Sequence, residues 1–323
     1  MLTAQVMERF SIIQDWSLAG YYETSRLKQL QDDIRVALLS GKLISVTGPI
    51  GTGKTTMINR LRKEIKTDKK IIVARSLSVE RNRVTLPSLL TALFLDVSGK
   101  LDFKIPGPEN RERVLLELIC KRKKPVVLFI DEAHYLHGNT LNGLKRLMEI
   151  LNEEPAVFSI VLVGHPRLQN NLKRPTMEEI GNRTIKFDFS GIGDERPQFL
   201  DWLLEQCLTK ETKLDQVISE DAREFMAEHL ATPLQFSEHL NRSFINAFRV
   251  GEPTVTKEIV EEIISPGFQD LDARLARMGY TPKDLAVQFE TSLPIMRAFL
   301  KSKLGPERTD ELASEMRNAG LPV

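Results

Sequence analysis

Cysteine is scarce: the 323 residues hold only Cys120 and Cys207. Two thiols make no disulfide framework, and neither stands at a metal-ligand spacing. That fits a reducing compartment, and a cytoplasmic location is expected. Long apolar runs are also missing. The longest stretch, residues 86–97, is too short to span a bilayer, and residues 1–13 carry Glu8 and Arg9 where a secretory leader is uninterrupted. No membrane partner is expected. Neither sign of charge dominates: 45 Lys and Arg face 44 Asp and Glu. This excludes a uniformly basic nucleic-acid binder and confines any such surface to a local stripe. There is no internal repeat and no low-complexity tract. With 41% hydrophobic and 28% charged residues, the chain has the make-up of a globular protein of about two domains.

What is present is an alternation. Short apolar runs at 43–47, 70–75, 125–130, 158–164 and 184–189 read as strands. Between them, 54–66, 86–97, 110–122, 141–153 and 168–173 read as helices. Continuously apolar strands alternating with helices predict a parallel sheet covered on both faces. Ahead of the first strand, residues 1–40 read as a helical lead-in, with Thr24 capping a helix that carries Leu27, Leu30, Ile34 and Leu38. After Gly191 only helices follow: 196–209, 220–230, 233–250 and 256–264. Beyond a Ser265-Pro-Gly267 boundary come 271–278, 282–289, 293–300 and 307–319. The expected domains are a lead-in (1–40), an α/β core (41–190), a helical lid (191–266) and a C-terminal helical module (267–323).

Gly48-Pro-Ile-Gly-Thr-Gly-Lys-Thr55 satisfies G-x-x-x-x-G-K-[ST] in full, where chance supplies on the order of 0.01 matches. It lies between a strand and a helix, as a phosphate loop must. Gly48, Gly51 and Gly53 let backbone N–H groups wrap a phosphate, and the helix N-terminus adds its positive end. Lys54 would neutralise the β- and γ-phosphates, and the Thr55 hydroxyl would ligate Mg²⁺. Thr52 and Thr56 complete the nucleotide-binding run.

The strand 126–130 ends in Asp131-Glu132. An acid at the carboxyl edge of the sheet can hold Mg²⁺, and Glu132 can act as general base on an attacking water. Two adjacent acids after a full phosphate loop indicate hydrolysis of ATP. Asp131-Glu-Ala-His134 also spells the DEAH of helicases, but a helicase needs a second α/β lobe. His134 and His137 have no third metal ligand nearby in sequence and read as helix-start residues. The strand 158–164 runs into His165, a candidate γ-phosphate sensor whose bland reading is a turn before Pro166. Arg183 precedes the fifth strand and suits a charge reaching a neighbouring subunit's nucleotide. Arg167, Arg174 and Arg196 are alternatives.

A phosphate loop, a DE-ending strand, a sensor strand, a pre-strand arginine and a helical lid in this order resemble AAA+ ATPases. Residues 48–55, 127–134, 161–168 and 231–235 are similar to the ExeA/TniB/TnsC branch. The resemblance implies sheet order 5-1-4-3-2 and a homo-oligomer, a ring or helical filament of six- or seven-fold repeat, with nucleotide between subunits. It also implies an ATP-dependent regulator of DNA transposition that binds double-stranded DNA and recruits a transposase with a target-selecting protein. A protein-facing switch of secretion or signalling type and a helicase-loader-like ATPase are the alternatives. The lid departs from the pattern: Thr232-Pro-Leu-Gln235 offers no sensor arginine, leaving Arg242 as a substitute.

At the ends, residues 281–300 resemble a helix-turn-helix in which Ala286 sits at the helix crossing, Ser292 caps the second helix, and Ile295, Met296 and Phe299 face inward. Reading DNA and docking a protein remain open for it. Trp16, Tyr21 and Tyr22 form an aromatic cluster that either covers adenine or packs a core. Lys66–Lys70 and Arg81–Arg83 are the best local basic clusters for a phosphate backbone.

Overall fold

The computed structural model describes residues 2–75, 84–100, 102–152, 156–173, 177–264 and 270–323. Arg81 to Arg83, Arg174 and the Ser265-Pro-Gly267 boundary lie outside the described residues. The chain forms two compact units: one of Gln29–Pro49 and Lys54–Phe189, the other of Met1–Lys28, Ile50–Gly53 and Ser190–Val323.

The first is an α/β unit. Strands β1 (Leu43–Thr47), β2 (Ile72–Arg75), β3 (Val126–Ile130), β4 (Phe158–Gly164) and β5 (Thr184–Asp188) make one sheet in the order β2-β3-β4-β1-β5. Every pairing is parallel, so the expected order 5-1-4-3-2 holds. Every residue of β1, β3 and β4 is buried, as apolar strands covered on both faces must be. The helix Leu86–Ser98 shows why its segment is helical: the Thr85 hydroxyl accepts the Ser88 N–H, Pro87 fills the first turn, and Gly99 closes it at φ +68°. Its Leu89, Leu93 and Phe94 are fully buried, each contributing roughly 1.5–3 kcal/mol. Five parallel strands deliver their carboxyl ends to one edge, which is where Gly48, Asp131 and His165 emerge.

The second unit is helical. Helices Arg196–Cys207, Glu220–His229, Pro233–Val250 and Lys257–Ile263 close around Phe199, Leu203, Phe236, Leu240 and Phe244. The lead-in holds the expected helix, with the Thr24 hydroxyl accepting the Leu27 N–H at 3.1 Å, but is not helical throughout. Only Ala4–Arg9 and Ser25–Ala37 are α-helical. Ser11 takes φ +56° and Ile12 bridges antiparallel to Leu208, so the chain between runs along the core of the helical unit. Trp16 stacks on Phe244 at 5.6 Å and donates Nε1–H to Asn241 at 3.0 Å. Tyr22 packs on Phe199 and Trp202, with its hydroxyl on Glu195 at 3.1 Å. Trp16 is therefore a core residue, and Tyr22 packs partly buried against that core.

The C-terminal helices build a separate cluster from Leu275, Leu285, Met296, Phe299, Leu312 and Met316. The pair Pro282–Gln288 and Leu293–Leu300 forms, with Ser292 accepting the Ile295 N–H at 3.4 Å. Ile295, expected to face inward, does not: it is 36% exposed while Met296 and Phe299 are buried. Positions 296, 299 and 300 share one helical face, and 295 lies about 100° off it.

Candidate nucleotide site

The phosphate loop joins β1 to the helix Lys54–Asp68. Gly51 and Gly53 take φ +79° and +96°, left-handed values that a side chain opposes. Gly48 has no room for a side chain, since a Cβ there would lie 2.1 Å from the Phe189 carbonyl oxygen. Within the helical unit, Ile50 donates its N–H to the Arg277 carbonyl at 2.9 Å, and the Gly51 carbonyl accepts the Leu234 N–H at 3.3 Å. Thr52 is buried and Thr56 is exposed on the first turn of the following helix.

In the α/β unit Lys54 is 8% exposed. Its ammonium donates to the carbonyls of Gly48 and Pro49 at 2.7 and 2.6 Å. Burial pushes it down to about 8, against the pull of Glu132 and Asp131. The Thr55 hydroxyl donates to Asp131 Oδ2 at 3.1 Å, and Asp131 Oδ1 accepts the Glu132 N–H at 2.8 Å. Residues 76 apart thus place two hard oxygen donors side by side. That donor set suits Mg²⁺, which takes oxygen ligands and keeps several waters.

Glu132 sits in the left-handed region at φ +53°, ψ +33°. Its Oε2 lies 3.5 Å from His134 Nε2 and 3.9 Å from His165 Nε2. His165 follows the last residue of β4 and caps the helix Pro166–Leu172. Burial pushes it down to about 4, helped by Lys54 and Arg167 and opposed by Asp131, so it is neutral near pH 7. His134 was not expected here. Its ring is buried and stacks on His165, centroids 3.9 Å apart and planes 20° off parallel. The sequence offered His134 only the DEAH spelling, which points to helicases, and a metal pairing with His137. The ligand atoms of Glu132, His134 and His165 lie within 4.8 Å of one another. An imidazole binds a metal in its own plane about 2 Å from nitrogen, and two stacked rings share no such point. His137 stands apart, with Nδ1 accepting the Asn139 N–H at 3.3 Å.

Arg183 ends the helix Glu178–Arg183 and pairs with Glu149 at 2.9 Å and Glu179 at 3.6 Å. Thr184 pairs with Leu43, the first residue of β1. Arg183 therefore lies at the amino edge of the sheet, roughly 13 Å or more along the strands from the phosphate loop. It borders a cavity of about 520 Å³ whose wall includes Lys42, Lys145, Met148 and Glu149. Of the alternatives, Arg167 is on the helix after His165 and Arg196 starts the helix Arg196–Cys207 with Nη1 on the Glu228 carbonyl at 3.5 Å. Arg242 is exposed and paired with Glu238, one turn away on its own helix. Lys66 to Lys70 form an exposed run.

Residues 38–172 match the AAA domain family. General secretion pathway protein A of Aeromonas hydrophila is 27% identical over 143 residues, 44% of this chain and 26% of that protein. The chain thus matches about a quarter of that relative's length. Among solved structures, the Aeropyrum pernix ORC2 protein aligns over 96% of this chain and 91% of its own at TM-score 0.57 and 12% identity. The Aeropyrum pernix ORC1 protein in complex with DNA aligns over 96% and 88% at TM-score 0.52 and 15% identity. These likenesses establish a shared AAA+ fold: the five-stranded α/β core with its helical additions.

Proposed function

We propose that the chain is an ATP-hydrolysing, Mg²⁺-dependent AAA+ protein that acts as a homo-oligomer on double-stranded DNA and regulates DNA transposition by recruiting or activating a transposase. The observation that carries the enzymatic part is the Thr55–Asp131 contact beside a buried Lys54, with Glu132 one residue on. In this reading Gly48, Gly51, Thr52, Gly53 and Thr56 cradle the nucleotide. Lys54 neutralises its β- and γ-phosphates, and Thr55 and Asp131 hold Mg²⁺. Mg²⁺ held there would supply charge neutralisation to the phosphates. Glu132 takes the proton of the attacking water, and His165, neutral near pH 7, senses the γ-phosphate. Arg183, too far from its own phosphate loop, serves a neighbour's nucleotide, which makes hydrolysis a property of the assembly.

The DNA part is supported by the fold likeness to a protein solved with DNA. Transposition rests on the motif resemblance at residues 48–55, 127–134, 161–168 and 231–235, and the parts 1–40, 41–190, 191–266 and 267–323 are proposed as lead-in, motor, lid and client-facing module. The match to a general secretion pathway protein favours one second reading, a protein-facing switch without DNA. No helix among the described residues is long and apolar enough to cross a membrane.

The test of the chemistry is ATP turnover and binding in three proteins. Lys54→Ala should lose ATP binding. Glu132→Gln should bind ATP normally and lose about a hundredfold or more in turnover, the usual worth of a general base. Undiminished binding in the first, or undiminished turnover in the second, contradicts the assignment.

A further inference from the structure

The site holds one group the expected chemistry does not use. His134 is buried to 2% side-chain exposure, a costly place for an imidazole unless its nitrogens are occupied. Packing on two sides fixes the ring. His165 stacks against one face at 3.9 Å, and the Tyr135 ring lies 4.1 Å away, tilted by 41°. The end of β4 is shaped for it too: a Cβ on Gly164 would come within 3.3 Å of both the His134 amide nitrogen and Nδ1. Nε2 of the packed ring lies 3.5 Å from one oxygen of Glu132, Oε2, and His165 Nε2 lies 3.9 Å from that same oxygen. The backbone of Glu132 is itself held in a conformation that non-glycine residues avoid, φ +53°.

From this geometry we propose that His134 is a positioning residue for hydrolysis: its Nε2 fixes Glu132 Oε2, so that Oε1 is presented to the attacking water. The proposal rests on the reading of Glu132 as general base. A carboxylate on a freely rotating side chain meets the water in the right orientation for only a fraction of the time. Anchoring one oxygen removes that loss, and an ångström of misplacement at such a site is worth up to about a hundredfold in rate. His134 touches neither nucleotide nor water in this account. It acts through Glu132, and His165 supports its ring.

Two full-chain variants separate positioning from packing. His134→Phe keeps a ring of similar shape to stack on His165 and carries no nitrogen. His134→Gln loses the ring and keeps an N–H at a similar reach. The account expects kcat of the Phe variant to fall about tenfold to a hundredfold, with KM, affinity for a non-hydrolysable ATP analogue and Tm close to wild type. The Gln variant should recover most of that kcat even if its Tm drops. A purely structural His134 predicts the reverse order, and that order overturns the proposal. So does a kcat in the Phe variant equal to or above wild type, the latter marking a restraint. Should the Phe protein not fold, His134→Asn, polar but too short to reach, decides: lost turnover with retained analogue binding supports positioning, and retained turnover overturns it. Glu132→Gln is assayed alongside. If it turns over like wild type the base assignment fails, whereas an inactive Glu132→Gln beside a fully active His134→Phe removes His134 alone.

Discussion

An ammonium buried as deeply as Lys54 ties nucleotide binding to a proton. In the free protein burial pushes it down to about 8, whereas a bound triphosphate would require it charged. Above pH 8 the free protein has lost that proton and must regain it on binding. Affinity for ATP should therefore be flat below pH 8 and fall about tenfold per unit above it. Calorimetry in buffers of different ionisation enthalpy should register proton uptake on the alkaline side, and affinity constant up to pH 10 would contradict the burial argument. The approach of Thr55 to Asp131 beside a buried Lys54 was legible because each of these residues, like Glu132, on which the proposed chemistry also rests, belongs to a local pattern. His134 was not. Its place depends on the end of β4 and on Gly164, some thirty positions along the chain, and no local pattern records that approach.

Among the elements, the strands were readable because a strand buried on both faces has no choice but an unbroken apolar run. Helix ends with Thr85 and Gly99 followed from capping chemistry. In the lead-in the Thr24-capped helix was legible, but the breaks before it were not, because they are set by tertiary contacts, the Ile12–Leu208 bridge and Trp16 on Phe244. The C-terminal helix pair allows a direct check of its own core. Met296 is fully buried in a cluster of ten residues, so Met296→Ala should destabilise that part of the chain by about 2–5 kcal/mol. Hydrogen exchange across residues 271–321 should report it, leaving β1 to β5 protected. Ile295→Ala, at an exposed position, should change little. Equal effects from the two would mean that the helix faces are assigned wrongly.

For the whole molecule the decisive placement is Arg183, at the amino edge of a parallel sheet whose carboxyl edge carries Lys54, Thr55 and Asp131. One chain cannot bring the two edges together, so a role in hydrolysis requires a second copy. Arg183→Ala should leave ATP affinity unchanged and lower turnover about tenfold or more, and the rise of specific activity with protein concentration should vanish. An unchanged rate and concentration dependence would return Arg183 to its surface pairs with Glu149 and Glu179. The central claim, an ATP-driven assembly on DNA, is tested most directly by electron microscopy of the Glu132→Gln protein with ATP, with and without a short DNA duplex. The account predicts rings or filaments that need ATP and form or lengthen on the duplex. Particles indifferent to DNA would contradict it and favour the protein-facing switch.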